Sequence, residues 1–219
     1  MSVEGPFSVT PPVLVCTKQG KCLPIFLAAM ATHAPGVPLI VEPGVGDTYG
    51  EAYNHIMAEA FKRYDEVIIG QDDIVIRPDT ITDLMADVAA LKEAQIPLGF
   101  VSARDEYACE CIGDRAFYHN RRCIEAGKVA PIFAWTHKSA FERCPFPPTN
   151  WFSDDIVCAD MRGQGLRHFW SKAYVHHVGA QSRLDVDVQK MLWDPVPWIR
   201  ANRPEYLKWS PMFDYVGDR

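Results

Sequence analysis

Three residue clusters in this chain have the types and spacing for chemistry. The first is Gln71-Asp72-Asp73, which follows the apolar run Val67-Ile68-Ile69. A short run of that kind reads as a buried strand, and ligands of open α/β sheets bind at the carboxyl ends of strands. Adjacent carboxylates repel one another, and become favourable together when a divalent cation sits between them and an anionic ligand. A solvated turn leading into Ile74-Val75-Ile76 would also account for them. The second cluster is Trp151-Phe152-Ser153-Asp154-Asp155, aromatics leading into paired carboxylates where a helix is expected to begin. The helix dipole alone favours acids in a first turn, and a carboxylate held there could equally serve as a general base. The third is His176-His177, which closes the run Ala173-Tyr174-Val175 just before Gly179. An imidazole at a strand end beside glycine is sterically open, as a metal ligand or phosphate contact must be.

These clusters need a scaffold, and the apolar periodicity supplies one. Val13 to Cys16 reads as a strand, followed by a helix with Leu23, Phe26, Leu27 and Met30 on its inner face. Pro38 to Val41 is a second strand. Thr48 with Glu51 three places on forms a capping box for a helix whose inner face is Tyr49, Tyr53, Ile56, Met57, Ala60 and Tyr64. Val67 to Ile69, continued by Ile74 to Ile76, is a third strand. Pro78 then turns the chain into a helix with the stripe Ile81, Leu84, Met85, Val88 and Leu91, and Leu98 to Val101 is a further strand. This alternation predicts an α/β fold, a mostly parallel sheet covered on both faces. Later strands are expected at Pro131 to Trp135 and His168 to Val175, with a short helix between them ending at a glycine. From Arg183 onward six large aromatics alternate with prolines. The reading is one domain over residues 1–182, with 183–219 an irregular segment that wraps it or packs on a second copy.

Composition narrows the function. At 219 residues and 48% hydrophobic, the chain can bury one sizeable core. A net charge of −6 argues against a general nucleic-acid coat. No apolar run approaches the roughly 20 residues of a membrane span, and the N-terminus lacks the pattern of a signal peptide. Seven cysteines, an odd number in a chain too long to need staples, fit reduced thiols and a cytoplasmic setting.

The succession of motifs resembles the nucleotide-sugar-dependent glycosyltransferases of GT-A type, in particular the family 2-like group with a short DxD motif at a strand end. The likeness runs over about residues 12 to 182. It implies a nucleoside diphosphate sugar as donor and a divalent metal, Mn²⁺ or Mg²⁺, as cofactor. By that resemblance Gln71-Asp72-Asp73 takes the DxD position, with Asp73 on the metal and Asp72 toward sugar or ribose. Asp154-Asp155 takes the place of the later Glu-Asp motif, with Asp155, or else Asp154, as the base. His177 completes the metal shell. Thr17, Glu42 and Trp151 are expected to contact the nucleotide sugar. Two positions depart from the pattern: Gln71 is an amide where a carboxylate is usual, and Glu42-Pro43 replaces an Asp and a small polar run.

Other readings compete. Gly44-x-Gly46 with Gly50 resembles a dinucleotide fingerprint, but the third glycine arrives one place late and Pro43 disturbs the turn. Cys109, Cys111, Cys123 and His119 could ligate zinc, though without CxxC spacing. Arg104, Arg121 and Arg122 could neutralise phosphate, or be surface residues. A non-catalytic sugar- or partner-binding module is supported by Gln71 and by the aromatic-rich tail. Acceptors from polysaccharide to protein, or a modified DNA base, stay open, as does a homo-oligomer formed through the tail.

Overall fold

Apolar residues alternate their direction along each strand, and that alternation builds two cores, one on either side of a sheet. The structure is a computed structural model that describes residues 10–18, 20–106, 122–178 and 187–208. Strands β1 (Val13–Thr17), β2 (Leu39–Pro43) and β3 (Glu66–Gly70) lie parallel, β1 in the middle. From them Val13, Val15 and Ile68 face one layer, and Leu14, Val67 and Ile69 face the other. Helices α1 (Leu23–His33) and α3 (Thr80–Glu93) cover the first layer through Phe26, Met30, Leu84 and Val88. The second is covered by α2 (Tyr49–Ala60), α4 (Lys138–Arg143) and α5 (Ser153–Gly163), through Ile56, Met57, Ala140, Val157 and Met161. Each fully buried Val, Leu or Ile stabilises this arrangement by about 1.5–3 kcal/mol.

Strands β4 (Ile74–Ile76), β5 (Leu98–Arg104), β6 (Ile124–Ala126), β7 (Phe133–His137) and β8 (Arg167–His177) complete an eight-stranded sheet of order β2-β1-β3-β7-β5-β8-β4, with β6 on β8. Strands β1, β2, β3, β5 and β8 share one direction, while β7 runs against its neighbours β3 and β5, and β4 and β6 run against β8. The fold is thus the mostly parallel α/β type expected, with an antiparallel strand at its centre. One expected continuity breaks: β3 and β4 are separate strands at different places in the sheet. The chain leaves β3 at Gly70, passes through Gln71-Asp72-Asp73 and pairs Ile74 with His177 on β8. The acidic pair is therefore the crossover itself.

The capping box forms in full, since Glu51 N–H donates to Thr48 Oγ1 and Thr48 N–H to Glu51 Oε2. Leu27 departs from expectation. It is exposed, and the inner face of α1 is Phe26, Ala29 and Met30, the i, i+3, i+4 set that shares one face of a helix. His168 ties three elements together: its Nδ1 accepts from Phe100 N–H on β5 at 3.0 Å, and its Nε2 faces Cys158 O on α5 at 2.9 Å. Burial pushes its pKa down, so the ring stays neutral.

The C-terminal segment differs from the irregular strap expected. Its described part is helical: α6 (Val188–Trp193), α7 (Val196–Asn202) and a 3₁₀ turn, Pro204–Lys208. The prolines initiate these helices instead of breaking them. Pro195 caps α7 and Pro197 lies in its first turn, where no N–H is needed. Ile199 and Val196 pack on Ile156 of α5, with Trp198, Tyr206 and Leu207 around them, and Arg203 pairs with Asp160. Trp209, Phe213 and Tyr215 lie outside the described residues.

Candidate functional site

Parallel strands deliver their carboxyl ends to one edge, and the residues just past β1, β3, β5 and β8 meet there. Thr17 closes β1, and its hydroxyl donates to Asp72 Oδ2 at 2.5 Å. That bond fixes the Asp72 carboxylate from the neighbouring strand end. Asp73 is 4% exposed, and its backbone carbonyl accepts from Val178 N–H at 2.8 Å. The antiparallel pairing of Ile74 with His177 sets this contact and brings the His177 ring over Asp73. His177 Nε2 lies 3.2 Å from Asp73 Oδ2, and its Nδ1 lies 3.6 Å from Asp105 Oδ2. Cys22, at the start of α1, is buried close enough to Asp73 and Asp72 for both charges to raise its pKa, after burial itself.

The geometry can be tested for a metal. His177 Nε2 is buried and has no hydrogen bond, although Asp73 Oδ2 is 3.2 Å away. Adjacent ligand atoms of an octahedral ion with bonds of about 2.1 Å lie about 3 Å apart, so the pair has the spacing of two neighbouring ligands. One hard oxygen and one imidazole nitrogen suit Mn²⁺ or Mg²⁺ in part only. Among the described residues no three His, Cys, Asp or Glu side chains converge to hold an ion unaided. Ions of this class commonly rest on one or two carboxylates and draw their other ligands from phosphate and water. Asp73 and His177 thus supply two of the ligands that such an ion takes, and the others would come from outside the described side chains.

His177 also binds the proton tightly. Asp105, then Asp73, raise its pKa to about 9 against the opposing effect of burial. The folded chain therefore holds a proton that the unfolded chain releases above 6.5. This stability is fully present below pH 6.5 and is lost as pH rises through about 9. In a metal-free buffer, His177→Gln is expected to flatten the fall in melting temperature across that interval. A curve of unchanged slope would show that the ring does not couple to folding.

The second acidic pair stands on the first turn of α5, behind a strained residue. Phe152, the cap of that helix, has φ 64°, a left-handed conformation that costs a bulky side chain about 1–3 kcal/mol. Trp151 packs edge-on against it, ring centroids 6.4 Å apart. Asp154 is half-buried, and desolvation, then the charge of Asp155, push its pKa up to about 6. A carboxyl whose pKa rises from 3.8 on folding costs stability at neutral pH, which is a mark of functional sites. Asp155 Oδ1 is in contact with the ammonium of Lys128, an exposed residue. Tyr49 lies within reach of this pair and Tyr53 within reach of the other. The Tyr49 hydroxyl is buried without a hydrogen bond, and desolvation, then the charge of Asp154, raise its pKa; Tyr53, its ring centroid 4.5 Å away, is raised by burial and, among lesser causes, by Asp72.

The loop before α5 is locked onto the start of α2. Gly50 N–H donates to Thr149 O at 3.2 Å, Tyr49 N–H to Asn150 Oδ1 at 2.9 Å, and Ser153 Oγ to Pro147 O at 2.9 Å. Asn54 both donates to Phe146 O and accepts from Phe146 N–H. Gly50 is required by this approach: a Cβ there would lie 1.8 Å from Pro147 O. The glycine that completes an imperfect dinucleotide fingerprint in the sequence thus has a packing role.

Thr17, Asp72, Asp73 and His177 come together, while Asp154-Asp155 stands on α5, with the Tyr49–Tyr53 ring contact common to the surroundings of both pairs. Glu42 stands apart on β2 beside His55, at 4.0 Å, and with burial it raises the Cys16 thiol to about 12. Sequence reasoning missed Asp105, which obeys the same strand-end rule at β5, and Lys128, which no motif marks. Arg104 is no surface residue: it is 3% exposed, and its guanidinium donates to Arg122 O. Arg122 itself is exposed. Cys123 is half-buried, with its thiol pushed up to about 12 by burial; Cys109, Cys111, His119 and Arg121 lie outside the described residues. No helix among the described residues is long and apolar enough to cross a membrane.

Neither a protein-family model nor a curated protein matches the chain. Among solved structures it is similar to A197 from STIV, at 11% identity and TM-score 0.51, over 73% of this chain and 80% of that one. It is similar also to S. aureus TarS, residues 1–349, at 12% identity and TM-score 0.50, over 88% of this chain and 73% of that one. A glycosyltransferase involved in the glycosylation of the major capsid of PBCV-1 aligns at 10% identity over 60% and 61%, and its TM-score of 0.36 carries no argument. At these identities the likeness concerns the fold alone, a single GT-A-like α/β domain.

Proposed function

We propose that the chain transfers a sugar from a nucleoside diphosphate sugar to an acceptor hydroxyl, with inversion at the anomeric carbon. One observation carries this reading: Asp73 and His177 offer donor atoms 3.2 Å apart at the strand ends, and a second acidic pair stands on the first turn of α5. The GT-A-like fold supports it. Thr17, Asp72 and Glu42 contact the nucleotide, the Thr17–Asp72 bond holding one carboxylate ready for a sugar or ribose hydroxyl. Trp151 flanks the sugar. A divalent ion, Mn²⁺ or Mg²⁺, held by Asp73 and His177 would neutralise the departing diphosphate. Asp155, the more outward of its pair through its contact with exposed Lys128, takes the proton of the acceptor hydroxyl. Asp154, deeper and next to Tyr49, holds its neighbour's place and keeps the cleft acidic.

A thermal-shift screen of nucleoside diphosphate sugars with Mn²⁺ or with a chelator tests the reading. A ligand at 100 times its Kd stabilises by about 2.7 kcal/mol, so one donor is expected to raise the melting temperature by several degrees in Mn²⁺ and much less in chelator. No shift with any donor would overturn the reading. Gln71, an amide at the first DxD position, favours a second one, a binding module without catalysis. A donor that stabilises the chain in Mn²⁺ but is neither hydrolysed nor transferred would select it.

A further inference from the structure

We propose that Asp105 is a positioning residue that fixes which nitrogen of His177 faces the metal; this rests on the metal site proposed above. The register pairs Arg104 with Tyr174, so β5 and the parallel strand β8 end at the same edge and carry Asp105 beside His177. Asp105 is 5% exposed, and its Oδ2 is 3.6 Å from His177 Nδ1. On the other side of the ring, buried Nε2 has no hydrogen bond and faces Asp73 Oδ2 at 3.2 Å. A metal ion at His177 must first displace the second proton that the ring otherwise keeps; the imidazole then has one N–H and one lone pair, and what the first nitrogen meets decides where the second points its electrons. With Asp105 drawing the proton to Nδ1, the Nε2 lone pair is directed at the space next to Asp73. Without Asp105, Asp73 is the remaining carboxylate, and it draws the proton to Nε2, which consumes the ligand position. The backbone of His177 is held separately, through its N–H to Glu106 Oε2 at 3.3 Å. Carboxylate–histidine–metal relays of this form are a general device for tuning a metal site.

The test is Mn²⁺ binding followed by electron paramagnetic resonance, with UDP added as the diphosphate probe. Asp105→Ala is expected to weaken Mn²⁺ binding by about 10- to 100-fold, and Asp105→Asn to recover most of it, because an amide oxygen still accepts from Nδ1–H. In a His177→Gln background, Asp105→Ala is expected to cost nothing further. Equal losses in both backgrounds, or no loss on Asp105→Ala, would overturn the proposal while leaving the metal site standing. Absence of Mn²⁺ binding by the unsubstituted chain would overturn both. Should Asp105→Ala fail to fold, imidazole ¹⁵N shifts of the unsubstituted chain with Mg²⁺ and UDP decide: protonation at Nδ1 supports the assignment, and protonation at Nε2 overturns it.

Discussion

Asp155→Asn is expected to keep donor and metal binding and to lose sugar transfer by roughly 10²-fold or more, the scale of a positioned general base. The amide has nearly the same shape and cannot take a proton. The side chain sits on the first turn of α5, after the strained Phe152, and touches Lys128 without being enclosed by it. Asp154→Asn is the matched control, because it removes the neighbouring charge and leaves Asp155 in place. Product configuration gives a second readout, since a single displacement assisted by one base inverts the anomeric centre. Native-rate transfer by Asp155→Asn, or a product that retains the donor's configuration, would remove Asp155 from this role.

Asp73→Ala is expected to abolish Mn²⁺-dependent binding of UDP or GDP, with affinity falling on the order of 10²-fold or more. The fold should survive, because Asp73 contributes to the β4–β8 connection through its backbone carbonyl, which accepts from Val178 N–H. Its side chain meets His177 instead. Asp73→Asn preserves volume and provides the milder comparison. Calorimetry with and without a chelator separates the metal-dependent part from the nucleotide contacts proposed for Thr17 and Glu42. Unchanged metal-dependent affinity in Asp73→Ala would remove this residue from the metal shell.

Strands and helices with strong apolar periodicity were legible before any coordinates. Val13 to Cys16, Val67 to Ile69 and the Thr48/Glu51 box all form where their patterns place them. What periodicity cannot convey is which strands become neighbours. Ile74 to Ile76 looks like a continuation of the strand before it, yet it pairs with β8, because the partner for an edge is chosen by long-range packing. The site divides along the same line. Asp72, Asp73, Asp154, Asp155 and His177 stand out because like residues lie side by side in the chain. Asp105, beside Glu106, is hidden for another reason: the apolar run reads as ending at Val101, whereas β5 continues to Arg104, and the register of β5 against β8 is what carries Asp105 to His177. Proline misled at the C-terminus: counted as a breaker, it acts at Pro195 and Pro197 as an initiator, a difference set by where the first turn falls.

The bonds that pin residues 146–153 to α2 have a bearing on how this domain could be diversified. Surface loops usually accept insertions, which is how one scaffold acquires new specificities. Here the segment leading to the α5 carboxylates has no slack: four hydrogen bonds to α2, one more within the segment and a carbonyl pressed against Gly50 hold it. Lengthening it would displace the start of α5. The end of α5 is less crowded, since a Cβ at Gly163 would meet nothing within 4 Å, while Gly165, at φ 79°, keeps its glycine for the backbone conformation. Grafted chain belongs there sooner than in residues 146–153, with Gly165 kept and the bonds from Gly165 N–H to Arg162 O and from Leu166 N–H to Met161 O left intact.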